Sequence, residues 1–218
     1  MNAITYQLFL HEIRSEFRNK SALGAIFLYN TASYYLVSQL YQQNISALSW
    51  AAVFIIIQLF GAINAIAKSF VAEGNGRILY YAQLASGTSI LIAKTMANFL
   101  LLLALSLVSL VLSLVFFGNF VTDIPLFALT QVLMSAFWAC MLTFLSSIAM
   151  KTNNGNVVMA IISLPMLIPF AGVSMKLFKI CMDGLGWYVA AKYLFLLVAL
   201  IVAIEALGIL LFKYIWKN

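Results

Sequence analysis

Six long apolar runs dominate this chain, at about 21–41, 48–67, 95–117, 126–150, 157–174 and 193–212. Each approaches the roughly 20 residues that an α-helix needs to cross the hydrocarbon core of a bilayer. Inside that core no water is present to satisfy peptide groups, so a run of this kind must close its own hydrogen bonds as a helix. Charge is scarce enough to support the same conclusion. Only 8% of the 218 residues are charged, where a soluble domain carries about a quarter. The expected fold is an all-α integral membrane protein of six transmembrane helices, forming one domain over 1–218. The linkers are short, and neither an internal repeat nor a low-complexity tract interrupts them.

The cations give an orientation. With six spans, Arg14, Arg18, Lys20, Lys68, Arg77, Lys94, Lys151, Lys213 and Lys217 fall on one side, and Lys176, Lys179 and Lys192 on the other. The bias of Lys and Arg toward the cytoplasmic side then places both termini in the cytoplasm. Residues 1–20 hold His11, Glu12, Arg14, Glu16, Arg18 and Lys20, so no cleavable signal peptide is expected and the first span serves as the insertion signal. The net charge of +6 is scattered between apolar runs, which argues for membrane topology rather than nucleic-acid binding.

Ahead of the first span, Tyr6, Phe9, Leu10, Ile13 and Phe17 recur at helical spacing. The pattern predicts an amphipathic helix over 1–20 lying in the headgroup plane, its cations toward anionic lipid. In the fifth run Pro165 and Pro169 each remove a backbone donor, so a kink or local unwinding is expected there. Residues 175–190 are too polar for a seventh span and read as one or two short helices on the outer face. Tyr29, Tyr34, Tyr35, Tyr41, Trp50, Trp187 and Trp216 suit interfacial belts.

Catalytic motifs are missing. "AINAIAKS" (Ala62–Ser69) ends in Lys-Ser like a phosphate-binding loop, but its two glycine positions are Ala62 and Ala67. The chain is therefore not expected to be an enzyme, and any ATP-driven work must come from a partner. His11 is the sole histidine, and Cys140 and Cys181 are far apart, so no metal or cofactor site is expected on this chain. No nucleophile elbow, zinc-protease motif or aspartate pair appears. Glu205, inside the sixth run, is a functional candidate because an acid in a span is costly. Its structural reading is a pairing with Gln58, Asn64 or Asn98. Lys176 and Lys179 could draw an anion, but read more simply as solvated lysines.

One polar interruption stands out, "VAEGNGRILYYAQLASG" (Val71–Gly87), between the second and third spans. Its Asn-Gly turn precedes "RILYYAQLA", a stretch able to form a short surface helix. This layout resembles the membrane subunits of ABC-2 type exporters. It is most similar to the haem exporter protein B family, the permease-like subunit of cytochrome c maturation. The likeness rests on Phe70, Glu73, Gly76, Leu79 and Lys94, on "LPMLIP" (Leu164–Pro169) after Lys151 and Gly155, and on the N-terminal "EIRSEFRNK".

The resemblance implies a permease domain in the bacterial inner membrane, paired with a separate ATP-binding cassette ATPase. The ATPase groove would receive the loop helix, with Phe70, Glu73, Gly76, Arg77, Leu79, Tyr80 and Tyr81 as coupling residues. It further implies a haem-handling membrane protein and a periplasmic haem chaperone as partners. ATP would be bound by the partner subunit and haem handled by the complex. With a single histidine, release of the haem-loaded chaperone is favoured over haem transport. An ABC arrangement needs two membrane halves, so a homodimer is one way to complete it. Two other readings remain open at this point. One is an ABC-2 permease exporting a drug, lipid or polysaccharide; the other is a six-span assembly scaffold with no ATPase.

Overall fold

The computed structural model describes residues 3–18, 20–41, 44–66, 85–149 and 155–217. Seven helices account for nearly all of them: α1 (Ala3–Arg18), α2 (Lys20–Tyr41), α3 (Ala47–Ile66), α4 (Gly87–Phe117), α5 (Ile124–Ala149), α6 (Gly155–Asp183) and α7 (Gly186–Lys217). No strand occurs among the described residues. Among the described residues, five helices are long and apolar enough to cross a membrane: Ala47–Ile66, Gly87–Phe117, Ile124–Ala149, Pro165–Asp183 and Gly186–Phe212. The remaining candidate, α2, has the length, at 22 residues, but lies outside that group because Asn30, Thr31, Ser33, Ser38 and Gln39 dilute its apolar content.

Local signals set most of the helix ends. Ser86 caps α4, its hydroxyl accepting from the Ser89 amide at 3.3 Å. Asp123 caps α5 through the Leu126 amide at 3.1 Å. Ser46 does the same for α3, taking the Ser49 amide at 3.2 Å. Each side chain satisfies an amide that the first helical turn would leave without a partner. At the far end of α6, Gly184 takes a positive φ of 64° and the Leu185 amide reaches back to the Ile180 carbonyl at 3.2 Å. That six-to-one bond with a left-handed glycine is a Schellman close. The carbonyls of Cys181 and Met182 are taken by the neighbouring loop: the Thr122 and Asp123 amides bond Cys181, and the Thr122 hydroxyl bonds Met182.

α5 is the central helix, packing against α3, α4, α6 and α7. From Phe137 to Ser147 every residue is buried, the pattern of a helix enclosed on all sides. Ala139, Cys140, Thr143, Ser146 and Ser147 keep that stretch slim, which lets the surrounding helices approach. The rim helices have the opposite character. α2 exposes Phe27, Leu28, Leu36 and Leu40, and α7 exposes Phe195, Val202, Leu207 and Leu210. Large apolar side chains turned outward are what a bilayer would receive.

Three expectations need correction. Residues 175–190 form no separate outer-face helices: 175–183 complete α6, Gly184–Leu185 make the turn, and α7 has begun by Gly186. The cause is that Leu177, Phe178, Ile180 and Cys181 are buried against the bundle, which carries the helix through the polar-looking stretch. α6 also stays helical through Pro165 and Pro169, so the unwinding does not occur. Both prolines are exposed, and each leaves the carbonyl four residues earlier without its helical amide partner. Finally, the third run is helical from Gly87 rather than from about residue 95. Lys94, which suggested a boundary, is buried within the helix and marks no surface.

Candidate functional site

Lys94 is the most unusual residue of the bundle. A lysine at the head of a span ordinarily lets its ammonium reach water, yet Lys94 is only 2% exposed. Its Nζ donates to Glu12 Oε2 of α1 at 3.2 Å. Taking a cation out of water is tolerated when a counter-charge accompanies it. The pair thus fastens α1 to the first turns of α4, and its charge is neutralised where α4 enters the bundle.

Apolar contacts reinforce the same corner. Ile90 and Leu91 of α4 and Phe212 of α7 form a buried cluster, with Leu8 of α1, Ala85 and Ile209 packed around it. Gly208 of α7 packs beside it, where a Cβ would make ordinary contact with Leu91 and Phe144 at 3.6 Å. One turn beyond Lys94, the Asn98 amide donates to the Thr143 hydroxyl of α5 at 2.8 Å. The start of α4 is therefore tied to α1 by charge, to α5 by a hydrogen bond and to α7 by packing. Ala85, at the edge of this cluster, lies just ahead of contacts to all three helices.

α1 docks through a different face from the one its apolar stripe defines. Thr5, Leu8 and Glu12 turn inward, while Tyr6 is half exposed and Phe9, Leu10 and Ile13 are only partly covered. At about 100° per residue the two faces are roughly a third of a turn apart. The stripe is consequently left beside the bundle, with His11, Arg14 and Arg18 exposed on a further side.

Deeper in the bundle lies a polar layer. Gln58 of α3 donates to Gln131 of α5 at 3.0 Å. Asn30 of α2 is fully buried against Gly61, and a Cβ at Gly61 would come within 3.1 Å of its Oδ1. Tyr34 and Ser109 approach each other across α2 and α4 without closing a hydrogen bond. At the opposite end the layer gives way to aromatic packing. Trp50 stacks on Phe120 with ring centroids 5.4 Å apart and touches Phe54, Phe127 and Phe178. Its indole donates to Ser113 at 2.6 Å.

The sequence-derived candidates fare unevenly. Phe70, Glu73, Gly76, Arg77, Leu79, Tyr80 and Tyr81 lie outside the described residues, between Ile66 and Ala85. Glu205 is partly buried on α7 against the Cys140 thiol of α5. The suggested partners are otherwise engaged or placed: Gln58 bonds Gln131, Asn98 bonds Thr143, and Asn64 is exposed. Lys176 and Lys179 lie on the last turns of α6, and both are exposed. Among the described residues no three of His, Cys, Asp and Glu come together in a way that could hold a metal ion.

Sequence reasoning missed the Glu12–Lys94 pair. The available signal was a Lys eight residues into an apolar helix together with a Glu on an amphipathic segment. Compared with family models and with curated proteins, the chain matches none.

Proposed function

We propose that this chain is the membrane subunit of an ATP-driven complex in cytochrome c maturation, coupling hydrolysis by a separate ATPase to haem delivery or to release of a haem-loaded chaperone. The observation that carries the reading is the junction at the start of α4. The segment that resembles the coupling loop of the haem exporter protein B family leads directly in sequence to Ala85 and α4. From there contact passes to α1, α5 and α7 through Lys94, Asn98 and Leu91. A chain whose task is to carry force from a partner needs such a stiff entry point.

On this reading α2 is the sixth span. Its 22 residues reach about 33 Å, enough for a hydrocarbon core of about 30 Å, and its outer face is apolar. The proposed orientation follows the cations, with Arg14, Arg18 and Lys20 toward the cytoplasm and Lys176, Lys179 and Lys192 outward. The membrane is the bacterial inner membrane, and the apolar stripe of α1 lies along its cytoplasmic leaflet.

Two experiments test the proposal. Deleting the gene should abolish c-type cytochromes on haem-stained gels; normal cytochrome levels would exclude the role, and loss of a surface glycan or sensitivity to toxic compounds would point to another export substrate. Within the protein, Glu73→Ala, Arg77→Ala and Leu79→Pro should each leave membrane insertion intact while lowering cytochrome maturation. Full maturation with undiminished ATPase binding in all three would remove the coupling role from the loop.

A further inference from the structure

On the rim of the bundle, α2, α3 and α4 form a groove of about 180 Å³ that is open on one side. Every residue lining it is apolar. Leu23, Ile26 and Phe27 of α2 stand against Ala65 of α3 and Leu101 and Ala104 of α4. The two alanines leave space that larger side chains would take. An apolar cavity of about 150 Å³ stays dry and admits a hydrocarbon the size of benzene. A protein helix is too bulky for such a space, since one turn about 10 Å across takes roughly 400 Å³. At the head of α2 stands Lys20, which is exposed and enters no ion pair among the described residues. Lys20, Leu23 and Phe27 follow the i, i+3, i+7 spacing of one helix face. Phe27 lies roughly 10 Å further along the axis. The groove therefore begins directly beneath a free cation.

We propose that this groove holds one acyl chain of an anionic phospholipid whose phosphate rests on Lys20. The proposal needs α2 to be a span, as in the reading above, and is independent of what the complex handles. A lysine at the end of a span carries its ammonium to the headgroup level, where an anionic lipid meets it. Competition from acids is small, because the Glu12 carboxylate is already taken by Lys94 at 3.2 Å. Arg18, the last residue of α1, is exposed two positions before Lys20 and adds to the same positive end. A concave apolar wall below and a cation above match the two halves of a single lipid. Such a chain would fill the gap that α2 leaves against α3 and α4.

The test is native mass spectrometry of the delipidated full-length chain, titrated with phosphatidylglycerol and, separately, with zwitterionic phosphatidylcholine. One phosphatidylglycerol should be retained in preference to phosphatidylcholine. Lys20→Gln should weaken phosphatidylglycerol binding about fivefold, the weight of one basic residue at an anionic leaflet, and leave phosphatidylcholine unchanged. Ala104→Phe, which fills the groove, should weaken both; Ala65→Leu replaces it if that variant does not fold. Lys192→Gln, at the other end of the bundle, should alter neither. Equal retention of the two lipids, or binding indifferent to a filled groove, would overturn the proposal. So would a dimer that Ala104→Phe converts to monomer, since a second copy would then cover the groove. Phe27→Cys separates the lipid site from the span, the native Cys140 and Cys181 being buried. A water-soluble maleimide should leave this variant unlabelled in nanodiscs. Labelling would overturn the proposal by taking α2 out of the bilayer, whereas no labelling and no lipid preference would overturn the lipid site alone.

Discussion

Glu12→Gln is expected to destabilise the protein by about 3 kcal/mol, because it removes the carboxylate paired with the buried Lys94 ammonium. Lys94 is 2% exposed and lies 3.2 Å from the Glu12 carboxylate, so water cannot replace what the substitution removes. Lys94→Met should cost a similar amount by stranding Glu12. Replacing both together with Met should return most of the loss, since the cost comes from the buried charge left behind rather than from a strong net attraction. Thermal unfolding in detergent, read for the single and double variants, checks the sign. A double variant as unstable as either single one would mean that the corner is held by something other than charge pairing.

Phe170→Ala is the second large effect, at about 3 kcal/mol. Phe170 is fully buried on α6, one residue after Pro169. Its ring stacks on Phe137 with centroids 4.0 Å apart and planes 10° from parallel, and it also meets Trp138. Lipid tails are as apolar as a leucine side chain, so burial from lipid contributes little and the loss comes mostly from the packing void. That places the value at the low end of the range for buried aromatics. Ile168→Ala, two residues earlier and 76% exposed, serves as the control. It should change stability by less than about 0.5 kcal/mol. Equal effects at the two positions would contradict the packing assigned to α6 and α5.

The all-helical fold was legible because apolar runs of span length leave the backbone no other way to satisfy itself. Five of the expected runs reappear as helices apolar enough to cross a membrane, and the first run reappears as the more polar helix α2. The ends were less legible. Residues 175–183 look polar in isolation, yet Leu177, Phe178, Ile180 and Cys181 are buried against the bundle, which carries α6 beyond its expected end at 174. Pro165 and Pro169 suggested a kink or local unwinding, and α6 runs on as a helix through both. The largest gap concerned polar pairing. A sequence records that Gln58, Asn98 and Glu205 lie within spans, while three-dimensional register decides that the first two meet Gln131 and Thr143. The Glu12–Lys94 pair joins residues 82 positions apart, so local patterns could mark each residue as unusual but could not match one to the other.

The most direct measurement is purification of the full-length chain in mild detergent, with every co-purifying protein identified. An ATP-coupled membrane subunit should bring down a nucleotide-binding ATPase, and Leu79→Pro should reduce its recovery while the membrane subunit itself remains folded. A chain that purifies intact and folded with no nucleotide-binding subunit would contradict the account.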